Sequence, residues 1–120
     1  MRQCAAFMTS DDFRTLALSF DGAIERGHMG HPDFRASGRI FATLQADDES
    51  GMIKVPPADQ AELLRLDGRT FTPASGAWGR QGCTMVRLKN ADAATVRAAM
   101  TLAWELATSK PPARRRATKR

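Results

Sequence analysis

"GHMGHPDFRASGRIFATL", residues 27–44, decides the fold, because it holds a turn between two apolar runs and both histidines of the chain. Ser37 and Gly38 divide "DFRA" from "RIFATL" as a tight hairpin turn does. His31 precedes Pro32, which biases it towards extended backbone. The stretch is therefore predicted to be strand, turn and strand, with apolar packing on or near the sheet from Phe34, Ile40, Phe41 and Leu44.

Helical spacing comes before this hairpin. Apolar residues recur at i, i+3, i+4 and i+7 from Phe13 to Phe20, which predicts a helix with one buried face. Thr9 followed by Asp12 is a possible capping box, so this helix should begin near Ser10.

After the hairpin we expect a turn at "ADDESG", a short strand "MIKV" and a helix from Pro56-Pro57 to Asp67-Gly68. Residues 69–82, "RTFTPASGAWGRQG", are predicted to be a loop, and "CTMVRL" alternates as a strand. A last helix is capped by Asn90 or Asp92 and bounded by Pro111. Its predicted buried stripe is Val96, Ala99, Met100, Ala103 and Ala107.

This order of elements favours an α+β fold, in which a mostly antiparallel sheet has helices packed on one face. The length of 120 residues suits one domain. We expect a loose N-terminus at residues 1–9, a single domain at 10–109 and a basic disordered tail at 110–120.

The net charge of +5 is concentrated in that tail. The tail holds six of the 18 basic residues and none of the 13 acids, so the body has 12 basic residues against 13 acids, a net charge of −1. Basic arms gain affinity for phosphate backbones through counterion release. The alternative is a solubilising terminus with no specific role.

Two features argue for a cytoplasmic protein. No apolar run approaches the roughly 20 residues that a membrane-spanning helix needs, and the first residues lack a secretory signal pattern, so no membrane partner is expected. Cys4 and Cys83 have no framework spacing, and we expect no disulfide.

His28, His31 and Asp33 are the candidates for metal or general-base chemistry. Two histidines and two distant cysteines supply too few ligands at the spacing of a zinc site, and a thiol at Cys83 is more often a small buried hydrophobe. We therefore expect no catalytic residue, metal or cofactor and no enzyme activity. An enzyme or metal protein stays open as a third class, if the two imidazoles and the carboxylate converge.

Three segments carry a family resemblance: "GHPDFRASGRIFATL", "SGAWGRQGCTMVRL" and "TLAWELA". Together, over about residues 10–109, they resemble the MmcQ/YjbR-like family of small bacterial proteins. The resemblance implies a CyaY-like α+β fold, also described as a double wing, and the family label of a DNA-binding protein. It implies no catalytic residues.

The leading functional prediction is a non-catalytic DNA-binding accessory protein, weakly or non-sequence-specific, with double-stranded DNA as partner. Its candidate contacts are cations that leave the sheet, the turns or the tail, although a solvated sheet face explains the body residues equally well. They are Arg35, Arg39, Lys54, Arg87, Arg114, Arg115 and Arg116.

The alternative prediction is a module that binds a small molecule or a protein partner and has no DNA role. It would use an apolar surface made of Trp78, Met52 and Met85. An equally good interpretation is that Trp78 covers the open end of the core, which is the commoner use of a lone tryptophan. An exposed, concave cluster would favour the binding module.

Overall fold

The computed structural model describes residues 8–28, 31–45 and 49–109, so Cys4 and the tail residues Arg114–Arg116 lie outside the described residues. The helices are α1 Ser10–Leu18, α2 Pro57–Leu66, α3 Gly76–Arg80 and α4 Ala93–Thr108, with a short 3-10 helix at Leu88–Asn90. The strands are β1 Ile24–His28, β2 His31–Ala36, β3 Arg39–Leu44, β4 Ser50–Lys54, β5 Phe71–Pro73 and β6 Cys83–Arg87.

These strands form one six-stranded antiparallel sheet in the order β1-β2-β3-β4-β6-β5. The predicted α+β class with an antiparallel sheet is confirmed. The prediction of a loop over residues 69–82 is wrong, because that segment contains β5 and α3. β5 is a three-residue strand that exists through its pairing with β6, so no alternating pattern of its own announces it.

The Ser37-Gly38 hairpin turn is confirmed. Both residues have positive φ, 55° and 80°, as a two-residue type I′ turn between β2 and β3 requires. Gly38 adopts this conformation without a steric cost, and Ser37 tolerates it at the tip of the turn. The turn sets the register in which Ala36 lies opposite Arg39.

A bulge interrupts the β2–β3 ladder four residues after that turn begins. Phe34 lies opposite Ala42 but Arg35 lies opposite Ile40, so Phe41 is an extra residue in β3. Phe41 and Ala42 are consequently both buried, although adjacent strand residues ordinarily face opposite ways. Ile40, expected among the packing residues, is 42% exposed and lies on the side of Arg35.

The capping box of α1 is confirmed. Thr9 Oγ1 accepts from the Asp12 amide at 3.0 Å, and Asp12 Oδ2 accepts from the Thr9 amide at 3.0 Å. On the inner side of the helix, Phe13 is fully buried. Its ring occupies the space above Gly51 in β4, which fixes α1 on the centre of the sheet.

The predicted buried stripe of α4 is confirmed at all five positions. Of the two candidate caps it is Asp92 that acts, because its Oδ2 accepts from the Thr95 amide at 3.1 Å. Helices α1 and α4 pack on one face of the sheet, and we call the other face the open face. Strand alternation places Arg35, Thr43, Met52, Lys54 and Met85 on the open face.

Candidate functional site

A cavity of about 730 Å³ lies where β3 and β4 separate. The two strands pair only over Ala42–Leu44 and Gly51–Ile53. Beyond the last pair, β3 residues 39–41 and Lys54 of β4 line the opening, which extends to α4 at Leu106. We call it the β3–β4 cavity, and its volume falls within the roughly 300–1,000 Å³ of small-molecule sites.

Three cations line this cavity, and their pairing differs. Arg35 donates from Nε to Asp33 Oδ1 at 2.9 Å. This hydrogen bond, which the Asp33 carboxylate accepts with a side chain only 11% exposed, raises the pKa of Arg35. The charge of Arg35 is therefore matched within the protein before any ligand arrives.

The charges of Arg39 and Lys54 are not matched by an acidic side chain among the described residues. Arg39 Nη1 donates to the Ser109 carbonyl at 3.4 Å, a weak bond to a neutral group, and the Lys54 side chain is exposed. Within the described part of the chain neither forms an ion pair, and the cavity lining contains no Asp or Glu. The cavity lining thus carries two positive charges that no acidic side chain of the described residues compensates.

Trp78 of α3 lines the same cavity and is 65% exposed. The short helix packs closely on the chain before it, so closely that a Cβ on Gly79 would collide with the Ala74 carbonyl. Trp78 therefore does not cover the core, the commoner role. Met52 is half-buried and also lines the cavity. Its partner on β6, Met85, is half-buried but does not line the cavity.

Cys83 also lines the cavity, and it is only 2% exposed. Desolvation by burial raises its pKa, and the charge of its strand neighbour Lys54 offsets this only in part. The thiol is therefore kept protonated and weakly nucleophilic, as expected of a small buried hydrophobe.

Two other groups of predicted residues do not line the cavity. Arg87 is at the far end of β6, where its Nη1 donates to the Arg69 carbonyl at 3.3 Å. His31 is exposed and its strand partner is His28, while the Asp33 carboxylate is engaged by Arg35. Across the described residues, no group of three or more His, Cys, Asp or Glu side chains is placed to hold a metal ion.

Five residues predicted under two different functional hypotheses thus line one cavity. They are Arg35, Arg39, Lys54, Trp78 and Met52. Sequence reasoning missed the contribution of α4, where Leu106 lies beside the buried stripe rather than on it. A large apolar residue off the stripe of a well-patterned helix is the signal that points to it. In the ranges described, no helix is long and apolar enough to cross a membrane.

Comparison with known proteins identifies a matching family and a solved structure with a similar fold. The family model YjbR matches residues 18–106. The crystal structure of Deinococcus radiodurans protein DR2400, which has a DUF419 domain, superposes with a TM-score of 0.72 at 18% identity. The alignment covers 87% of this chain and 81% of that one, and at this identity it supports the fold alone. No protein of curated function matches the sequence.

Proposed function

Because the chain belongs to the YjbR family, we propose that it is a cytoplasmic, non-catalytic protein that binds nucleic acid with weak or no sequence specificity. Binding occurs at the β3–β4 cavity and at the basic tail. One observation carries the proposal: Arg39 and Lys54, which form no ion pair within the described residues, border the same cavity as the exposed Trp78.

The near-neutral charge of the body does not weaken this proposal, because the charges are unevenly distributed. The acids of the body are absent from the cavity lining, where two cations remain after Asp33 has matched Arg35. Phosphate binding depends on this local field and on the counterions that it displaces. A positive site of limited size on a neutral body supports weak binding that is sensitive to salt.

The position of Ser109 favours a ligand shared by the body and the tail. Ser109 is the last residue before the tail, and its carbonyl accepts from Arg39 at the cavity mouth. The tail of residues 110–120, with its six cations, is joined to the body at Ser109, the residue that Arg39 contacts. Because the tail follows directly on Ser109, we assign the cavity cations and the tail cations to one phosphate backbone.

The test is fluorescence anisotropy of a labelled random 20-mer duplex over a salt series, with the full chain and three variants. R39Q/K54Q removes the two cavity charges that have no acidic partner, and R114Q/R115Q/R116Q removes tail charges. K89Q/R97Q makes the same change in net charge as the first variant, with Arg97 near the opposite end of α4. The slope of log K against log salt is negative, and each lost phosphate contact should reduce its magnitude by about 0.9, so the first variant reduces it by up to about 1.8.

The control variant should leave the slope unchanged. If it reduces the magnitude of the slope as much as R39Q/K54Q does, binding follows net charge alone and the cavity has no part in it. If the unmodified chain does not bind the duplex at low salt, the duplex form of the proposal fails.

A second candidate function, binding of a small organic molecule, is favoured by the apolar part of the cavity lining. Met52, Leu106 and Trp78 offer contact area in a volume typical of ligand sites. A thermal-shift screen of aromatic carboxylates tests it. Stabilisation that R39Q/K54Q abolishes would favour this function, especially if nucleic acid binding is absent.

A further inference from the structure

We propose that the β3–β4 cavity binds one unpaired nucleotide, with its base stacked on Trp78 and its phosphate held by Arg39 and Lys54. This rests on the proposed function and deepens it, since it names the nucleic acid state that the site prefers. A free nucleotide and a nucleotide within a single strand present the same chemistry to the site.

The first support is the contrast between the two tryptophans. Trp104 stacks on Phe20 with ring centroids 5.9 Å apart, and its Nε1 donates to the Asp21 carbonyl at 2.9 Å. The indole of Trp78 has neither a ring contact nor a side-chain hydrogen bond among the described residues, and the residue is 65% exposed. An indole left without partners beside a cavity is a stacking surface for a planar ligand.

The second support is the arrangement of charged and apolar groups around Trp78. Ile40 is 42% exposed, and together with Met52 and Leu106 it provides apolar lining for a base and its sugar. The cations are positioned on the strands that border the opening, Arg39 on β3 and Lys54 on β4. A nucleotide has the same division into a flat apolar ring and an anionic phosphate.

The third support is geometric exclusion of paired bases. A base within a duplex is stacked on both sides and cannot present its face to a side chain unless it is first extruded. The phosphates on the outside of a duplex remain available to Arg39 and Lys54. Trp78 should therefore contribute to single-strand binding and add little to duplex binding.

The experiment measures anisotropy of a labelled single-stranded 12-mer and of the 20-mer duplex with full-length protein. W78A should weaken single-strand binding by about 5- to 150-fold, the range for loss of one stacked base, and leave duplex binding within about twofold. W78F should restore most of the single-strand affinity, because a phenyl ring also stacks. L66A, which removes a side chain that is 68% exposed at the end of α2 and outside the cavity, is the matched control and should change neither affinity.

Competition identifies the source of the nucleotide. Adenosine monophosphate that displaces the 12-mer from the unmodified chain, but not inorganic phosphate at the same concentration, supports a nucleotide site. Equal displacement by both anions overturns the inference, because charge alone would then explain binding.

The outcomes separate this inference from the proposed function. If R39Q/K54Q weakens both nucleic acids and W78A weakens neither, the stacking inference is wrong and the proposed function stands. If neither the strand nor the duplex binds at low salt, both are wrong.

Discussion

Replacing Gly51 with alanine tests how α1 is fixed on the sheet. A Cβ at this position would lie 2.6 Å from Cε2 and Cζ of Phe13, whereas carbon atoms in favourable contact are about 3.5–4.0 Å apart. The ring would have to retreat by about 1 Å. Phe13 has no exposed surface, and the ring of Phe34 has its centroid 6.2 Å away, so there is little space for that movement.

Gly27 provides the matched control. It also lies in a strand without a positive φ, but an added Cβ at Gly27 would meet nothing within 4 Å. G27A should gain about 0.5–1 kcal/mol from the lower entropy of the unfolded chain. G51A gains the same term and loses about 1–3 kcal/mol to overpacking, so the difference between the two variants isolates the steric cost.

Urea unfolding followed by circular dichroism measures this difference. With a denaturant slope of about 2 kcal/mol per molar, the midpoint of G51A should lie about 0.5–1.5 M below that of G27A. The double variant F13L/G51A should lose less stability than the sum of its single variants, because the smaller side chain makes room for the methyl group. Equal midpoints for G51A and G27A, or strict additivity in the double variant, would refute the packing of Phe13 against Gly51.

Three further results are expected from other parts of the molecule. T9A should destabilise the protein by about 1 kcal/mol in the same assay, because it removes the side-chain cap of α1; no loss would mean that the cap is dispensable. In a C4S background, Cys83 should react with a disulfide reagent at pH 8 more slowly than free cysteine, since burial raises its pKa and the thiolate is the reactive form; an equal rate would contradict this. The hydrogen bond from Arg65 lowers the pKa of Glu62. The stability that this exposed pair contributes is therefore present above the pKa of Glu62 in the unfolded chain and is lost as the pH falls through its pKa in the folded protein. E62Q should cost little stability at pH 7 and none at low pH.

The parts of the fold that the sequence predicts are those in which local pattern and tertiary packing agree. The capping box at Thr9, the turn at Ser37-Gly38 and the apolar stripe of α4 depend on neighbouring residues alone, and all three are confirmed. The strand β5 and the helix α3 were missed because three and five residues carry too little periodicity, and their conformation depends on pairing with β6 and on close contact at Gly79.

The cavity is predictable only in its parts. Cations between buried neighbours identify Lys54 as outward-facing, but its proximity to Trp78 and Arg39 depends on how the sheet brings three separate segments together. The early end of the β3–β4 ladder, which opens the cavity, leaves no trace in the composition of either strand. The exposure of Ile40 was missed for a related reason, because the bulge changes the alternation at the residue before Phe41.

The extra residue at Phe41 offers a way to classify related sequences by the number of residues between the hairpin turn and the end of β3. Removing one residue there would leave Phe34 opposite Ala42 and Arg35 opposite Ile40, so the hairpin would keep its turn and its faces. Bulges increase local strand twist, and this one lies where β3 leaves β4. We expect a relative with five residues between its turn and the end of β3, instead of the six in Arg39–Leu44, to have a flatter strand and a longer ladder with β4. Counting that interval would then distinguish relatives that possess the cavity from relatives in which the sheet is closed.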